Sequence, residues 1–189
     1  MAAPMTVSPM AEVMMWAALV LALLLAVGWF LSYTAVRLDR LHHRIFATAA
    51  ALDAQLVRRA EATLEVALGG GLDPASSTLL AGAATEALDT PGPWSIPRQR
   101  AESGLTEVLR MAGPSLDQAG PPVAEDEVVA RLRGAALRVQ LARRFHNEAI
   151  CDAVRLRARV PVRLFRLAGH AAMPEPVSFD DDWPEGHVD

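Results

Sequence analysis

From Val13 to Tyr33 the chain carries no charged side chain: VMMWAALVLALLLAVGWFLSY. As a helix rising 1.5 Å per residue, this run is roughly 31 Å long, the thickness of a bilayer's hydrocarbon core. Trp16 stands near one end and Trp29 and Tyr33 near the other, where amphipathic rings prefer the membrane boundary. A cleavable secretory signal would carry basic residues before a shorter apolar core. Met1 to Glu12 hold neither Arg nor Lys, so the run is read as a transmembrane anchor.

The flanks set an orientation. Glu12 precedes the span, whereas Arg37, Arg40 and Arg44 follow closely, with Arg58 and Arg59 beyond. The excess of arginine predicts an extracytoplasmic N-terminus (residues 1–12), a membrane helix (13–33) and a cytoplasmic remainder. The single cysteine, Cys151, excludes an internal disulfide and any cysteine-rich zinc site. A lone free thiol agrees with a reducing compartment.

Helical periodicity continues after the span. Leu38, Leu41, Ile45, Ala49, Leu52, Leu56, Ala60 and Leu64 recur at steps of three and four, and no proline interrupts residues 10–73. The membrane helix is therefore expected to run on until Gly69-Gly70-Gly71 ends it. No Walker lysine or dinucleotide fingerprint accompanies those glycines, so they read as a terminator and not as a phosphate loop. Asp73-Pro74 announces a second helix to about Leu88. TPGPWSIP (90–97) reads as a loop. A third helix is predicted over 98–112, burying Leu105, Val108 and Leu109, and a second loop over 113–122.

The last helix carries the clearest stripe: Val128, Leu132, Ala135, Val139, Ala142, His146, Ala149, Ala153, Leu156 and Val160, with Glu125, Asp126 and Glu127 at its start and Pro161 at its close. A polar residue in such a seam needs a hydrogen-bond partner, so His146 reads as structural. Cys151 falls outside the seam. Ala, Leu and Arg, all strong helix formers, dominate the composition, while three isoleucines and one tyrosine are too few for a sandwich or barrel. The fold class is thus all-α: one N-terminal transmembrane helix continuing into an antiparallel up-down bundle (34–170) with long first and last helices. Residues 171–189, with three prolines and six acids, read as an irregular tail.

Leu52-Asp53-Ala54-Gln55-Leu56-Val57-Arg58-Arg59 is similar to the "D-x-Q-L-x-R-R" stretch that follows an N-terminal membrane helix in the LemA family. Ala142-Arg143-Arg144-Phe145-His146-Asn147-Glu148-Ala149 is similar to its "A-R-R-x-Y-N-x-A" run, and Pro161 with Leu164-Phe165 to its closing motif. The chain departs from the family at 60–67, where AEATLEVA replaces "A-D-L-I-P-N-L-V", and at His146 and Val160, which replace Tyr and Phe. The resemblance spans roughly residues 10–170 and suits a divergent, high-GC bacterial branch. It implies a membrane-anchored helical bundle without an established catalytic activity, and it marks Asp53, Gln55, Leu56, Arg58, Arg59, Arg143, Arg144 and Asn147 as motif residues.

Catalytic signatures are not found. His42 and His43 are adjacent, so on a helix they diverge by about 100° and do not chelate one ion together. The R-E-x-x-E-E pattern of Nudix hydrolases has no counterpart, and Asp180-Asp181-Asp182 lies in the tail. No metal, cofactor or nucleic acid is expected. Charge is more informative: residues 131–170 hold ten arginines against Glu148 and Asp152, while 175–189 hold six acids. If the fourth helix returns toward the membrane, Arg155, Arg157, Arg159, Arg163, Phe165 and Arg166 approach the inner leaflet and form a second, anionic-lipid contact that the tail screens. The competing reading is a solvated basic face paired with the tail or with Glu61 and Glu65. In function, the sequence predicts a membrane-anchored interaction or scaffold protein acting on a protein partner or on another copy of itself. The alternative is an enzyme whose site is assembled from scattered residues.

Overall fold

The computed structural model describes residues 9–90, 95–118, 123–165 and 173–183. They form five helices in chain order: α1 (Pro9–Leu68), α2 (Pro74–Asp89), α3 (Ile96–Gln118), α4 (Val123–Arg157) and α5 (Val160–Leu164). The fold is all-helical among the described residues, with long first and fourth helices as the sequence predicts.

α1 is a single helix of 60 residues, roughly 90 Å from end to end. Its apolar N-terminal third is long enough to cross a membrane, and no part of its most apolar stretch is buried. Burial begins at Thr34 and follows the predicted stripe, with Leu38, Leu52, Leu56 and Ala60 at most 3% exposed. The helix stops where the chain needs a left-handed residue, and Gly70 supplies it with a φ of 85°. Just before it, Gly69 N–H bonds back to the Val66 carbonyl, closing the last turn. Asp73 then caps α2, its Oδ1 accepting from the amides of Ala75 and Ser76 at 3.0 Å.

α4 lies antiparallel along α1. Contacts pair rising α4 numbers with falling α1 numbers: Arg131 with Glu65, His146 with Thr48, Asp152 with Arg44. α2 packs on α1 and α3 on α2. One core, with Leu80, Leu105, Leu109, Leu116 and Leu132, joins α1 to α4 at the end far from the apolar third of α1. Leu132, Ala135, Val139, His146, Ala149, Ala153 and Leu156 of the predicted α4 seam are buried, and Cys151 is exposed.

Three boundaries differ from the sequence reading. α3 runs on through Pro114 to Gln118, because burial of Ala112 and Leu116 offsets the backbone bond that proline removes. α3 also starts at Ile96, inside the stretch read as loop; residues 91–94 and 119–122 lie outside the described residues. α4 ends at Arg157, not at Pro161, which sits instead in the first turn of α5, where its missing amide costs no helical bond. Val160 accordingly leaves the seam and is 73% exposed.

The tail differs most. Residues 173–183 have no regular secondary structure, yet they are seated, with Val177, Phe179 and Asp181 buried. The low-hydropathy, proline-rich composition suggested a free segment, but the V-x-F-x-D alternation gives one inward face.

Candidate interaction site

The residues that converge most closely lie where α1, α3, α4 and the 173–183 strap meet. On α3, the stripe Arg98, Glu102, Thr106 turns inward. Glu102, fully buried, is held from two sides: its Oε2 accepts from Arg59 Nη2 at 2.7 Å, and its Oε1 lies 2.8 Å from Arg98 Nε. Arg59, 1% exposed, also donates to the Thr106 hydroxyl at 3.1 Å and to the Glu102 carbonyl. Arg98 donates to the Thr90 carbonyl and stands 3.8 Å from Asp53. A buried charge is tolerated only with such pairing, so this cluster fixes α3 against α1.

The strap lies in the channel between α3 and α4. On the α4 side, Asn147 makes two bonds to the backbone of Val177, Oδ1 accepting from its amide and Nδ2 donating to its carbonyl, both at 2.9 Å. Arg143 grips Asp181 with two charge-assisted bonds, at 2.6 and 2.7 Å. The same guanidinium stands 5.7 Å from the Phe179 ring centre. Gln140 donates to the Asp181 carbonyl. On the α3 side, Gln99 accepts from Ser178 N–H, Ser103 from Asp180 N–H, and Thr106 donates to the Asp180 carbonyl. Arg110 pairs with the Asp180 carboxylate at 2.8 Å and holds it below the usual carboxylate pKa. The strap thus runs parallel to α3 and antiparallel to α4. Val177 and Phe179 complete a second apolar cluster with Leu52, Leu56 and Val139.

The motif residues divide by role. Asp53 and Arg59 face α3, Leu56 lies under the strap, and Arg143 and Asn147 hold the strap itself. Gln55 is half-buried beside Leu141 and Phe145, while Arg58 is exposed on the opposite side of α1 from the core. Arg144 is likewise exposed. Glu102, Thr106, Gln99, Ser103 and Asp181 escape the sequence reading, although the three- and four-residue steps of the α3 set and the alternation of the strap are their signals.

His146 occupies the seam, 2% exposed, with Nδ1 3.1 Å from Thr48 Oγ1. That hydroxyl also lies 2.9 and 3.0 Å from the carbonyls of Arg44 and Ile45, so its proton points to them and it accepts from Nδ1–H. Burial pushes the imidazole below its usual pKa. A cavity of about 410 Å³ opens beside it, walled by Ile45, Phe46, Gln99, Ile150 and the strap from Met173 to Val177.

The basic segment reaches the apolar third of α1. Val160, Leu164 and Phe165 share a cleft of about 350 Å³ with Ala26, Val27, Phe30 and Leu31. Arg155, Arg159 and Arg163 are exposed and Arg157 is half-buried; Arg155 shares Asp152 with Arg44. Arg166 lies outside the described residues. Of the described acids of the tail, Asp180 and Asp181 engage Arg110 and Arg143. Glu65 pairs with Arg131 of α4, outside the 155–168 segment. Among the described residues no group of three His, Cys, Asp or Glu side chains is arranged to hold a metal ion. No family model, curated protein or solved structure matches the chain.

Proposed function

We propose that this protein is a membrane-anchored helical interaction protein of the LemA type, without catalytic activity of its own, whose bundle faces the cytoplasm of a bacterial cell. One observation carries the reading. Among the described residues the most apolar stretch of α1 has no buried residue, while the same unbroken helix becomes the central member of a bundle from Thr34 onward. Such a helix joins an anchor to a display surface, and arginines clustered on the bundle side favour the cytoplasmic orientation. The cleft between α5 and Ala26–Leu31 supports a second lipid contact, because it brings Val160, Leu164 and Phe165 level with the apolar third of α1. The enzyme alternative is weaker on the same geometry: the cavity beside His146 offers His146 and Glu175 as its titratable groups, too few to divide acid, base and nucleophile roles.

Cys151 tests the orientation, since it is the only cysteine and is exposed. In spheroplasts treated with a membrane-impermeant maleimide, labelling is expected only after detergent lysis. Labelling of intact spheroplasts would place the bundle outside the cytoplasm and remove the inner-leaflet contact.

A further inference from the structure

The strap is bound as a peptide is bound. Six of the bonds that hold it run between helix side chains and its main chain: two from Asn147, and one each from Gln99, Ser103, Thr106 and Gln140. Contacts to a main chain fit any extended segment, whatever its sequence. Selectivity then rests on the inward positions. Val177 and Phe179 enter the apolar socket over Leu52 and Leu56, and Asp181 receives the two-bond grip of Arg143, with Arg110 on Asp180 at the rim.

The groove's walls are α3 and α4, whose main shared core is built from α1–α4 with Trp183 as the strap's one contribution to it, while Val177 and Phe179 of the strap fill the smaller cluster over Leu52, Leu56 and Val139. The strap follows α5, and no later helix among the described residues packs on it.

We propose that the α3/α4 groove is a recognition site for an extended acidic segment of a partner protein, of pattern apolar-x-aromatic-Asp-Asp, and that residues 177–181 are a resident copy that holds the site closed. This deepens the interaction-protein reading and rests on it, by naming the chemistry of what the bundle takes. Positive charge from Arg143 and Arg110 at one end of an apolar socket selects acidic over basic segments. Release of the strap also removes the wall that Met173 to Val177 give the cavity beside His146.

The test uses the full chain in detergent and a fluorescent peptide with the sequence of residues 173–183, followed by anisotropy. The strap is weakened in place by Phe179→Ala with Asp181→Asn. This variant, still helical by circular dichroism, is expected to bind the peptide at least tenfold more tightly than the unaltered chain. Adding Arg143→Gln should abolish that gain, as should the same Phe and Asp changes made in the peptide. Asp180→Asn, which loosens the strap only at its rim and leaves the groove unaltered, provides a milder opening and an intermediate gain. Equal binding by all folded variants would overturn the proposal. So would dimerisation of the weakened-strap chain in place of peptide uptake, since the groove would then belong to a second copy. A weakened-strap chain that unfolds and is not restored by added peptide makes the strap a structural member, and also overturns it. The readout is blind to membrane orientation, so failure here and failure of the Cys151 labelling are distinct results.

Discussion

At the scale of single residues, Arg59 shows how much energy a buried charge concentrates at one position. Its guanidinium is sealed against Glu102 and Thr106, so Arg59→Ala leaves part of a buried carboxylate uncompensated. Chemical denaturation should register a loss of about 3–5 kcal/mol. The adjacent Arg58 makes no such contact with the α3 cluster, and Arg58→Ala should change stability by no more than about 0.5 kcal/mol. His146 gives the pH dependence. Its folded-state pKa is lowered by burial, so the unfolded chain takes up a proton first as the pH falls. The stabilisation from a neutral His146 is complete above about pH 6.5, the unfolded value, and is lost as pH falls through the lower folded value. Melting temperature should therefore drop on going from neutral to mildly acidic buffer, and His146→Leu should flatten that slope. The sequence announced His146 as an odd residue in an apolar seam. It did not announce Glu102, because a Glu four residues after an Arg reads equally well as a surface ion pair until the fold buries both.

At the scale of elements, the helices were legible where apolar spacing is regular and ends are marked by glycine or by Asp-Pro. Gly70 and Gly82 separate two uses of the same residue. Gly70 holds a left-handed turn, a conformation that a Cβ disfavours. Gly70→Ala should therefore destabilise by roughly 1 kcal/mol or somewhat more. Gly82 sits inside α2 with open space where a Cβ would stand. Gly82→Ala should stabilise by about 0.5–1 kcal/mol. Thermal melts of the two variants, opposite in sign, check the assignment. The end of α3 was illegible for a physical reason. Pro114 is a strong local stop signal, and only the tertiary burial of Leu116, invisible in the local sequence, outweighs it. The strap was illegible for the complementary reason: an extended segment that satisfies its backbone on helix side chains carries no helical period, and its composition resembles that of a solvated tail.

At the scale of the whole molecule, the all-helical architecture followed from composition and periodicity, whereas the partnership between α3, α4 and the strap required the chain to be assembled. The proposed lipid contact is also a property of the assembly, because it depends on α4 returning along α1. Residues 34–189, which hold the core, should float with vesicles containing anionic lipid and not with neutral ones. Arg159→Gln and Arg163→Gln should each weaken that binding by about 1 kcal/mol, and a fragment indifferent to lipid charge would remove the contact. The absence of any break in α1 has a mechanical consequence. From Thr34 to Leu68 the helix is a stiff arm roughly 52 Å long, rooted in the apolar third. Membrane helices tilt when the surrounding bilayer thins or thickens. With no hinge to absorb it, a change in tilt of about 10° swings the far tip of this arm sideways by about 9 Å. Where the apolar third crosses a bilayer, the position of the bundle would then follow the thickness of the lipid around its root.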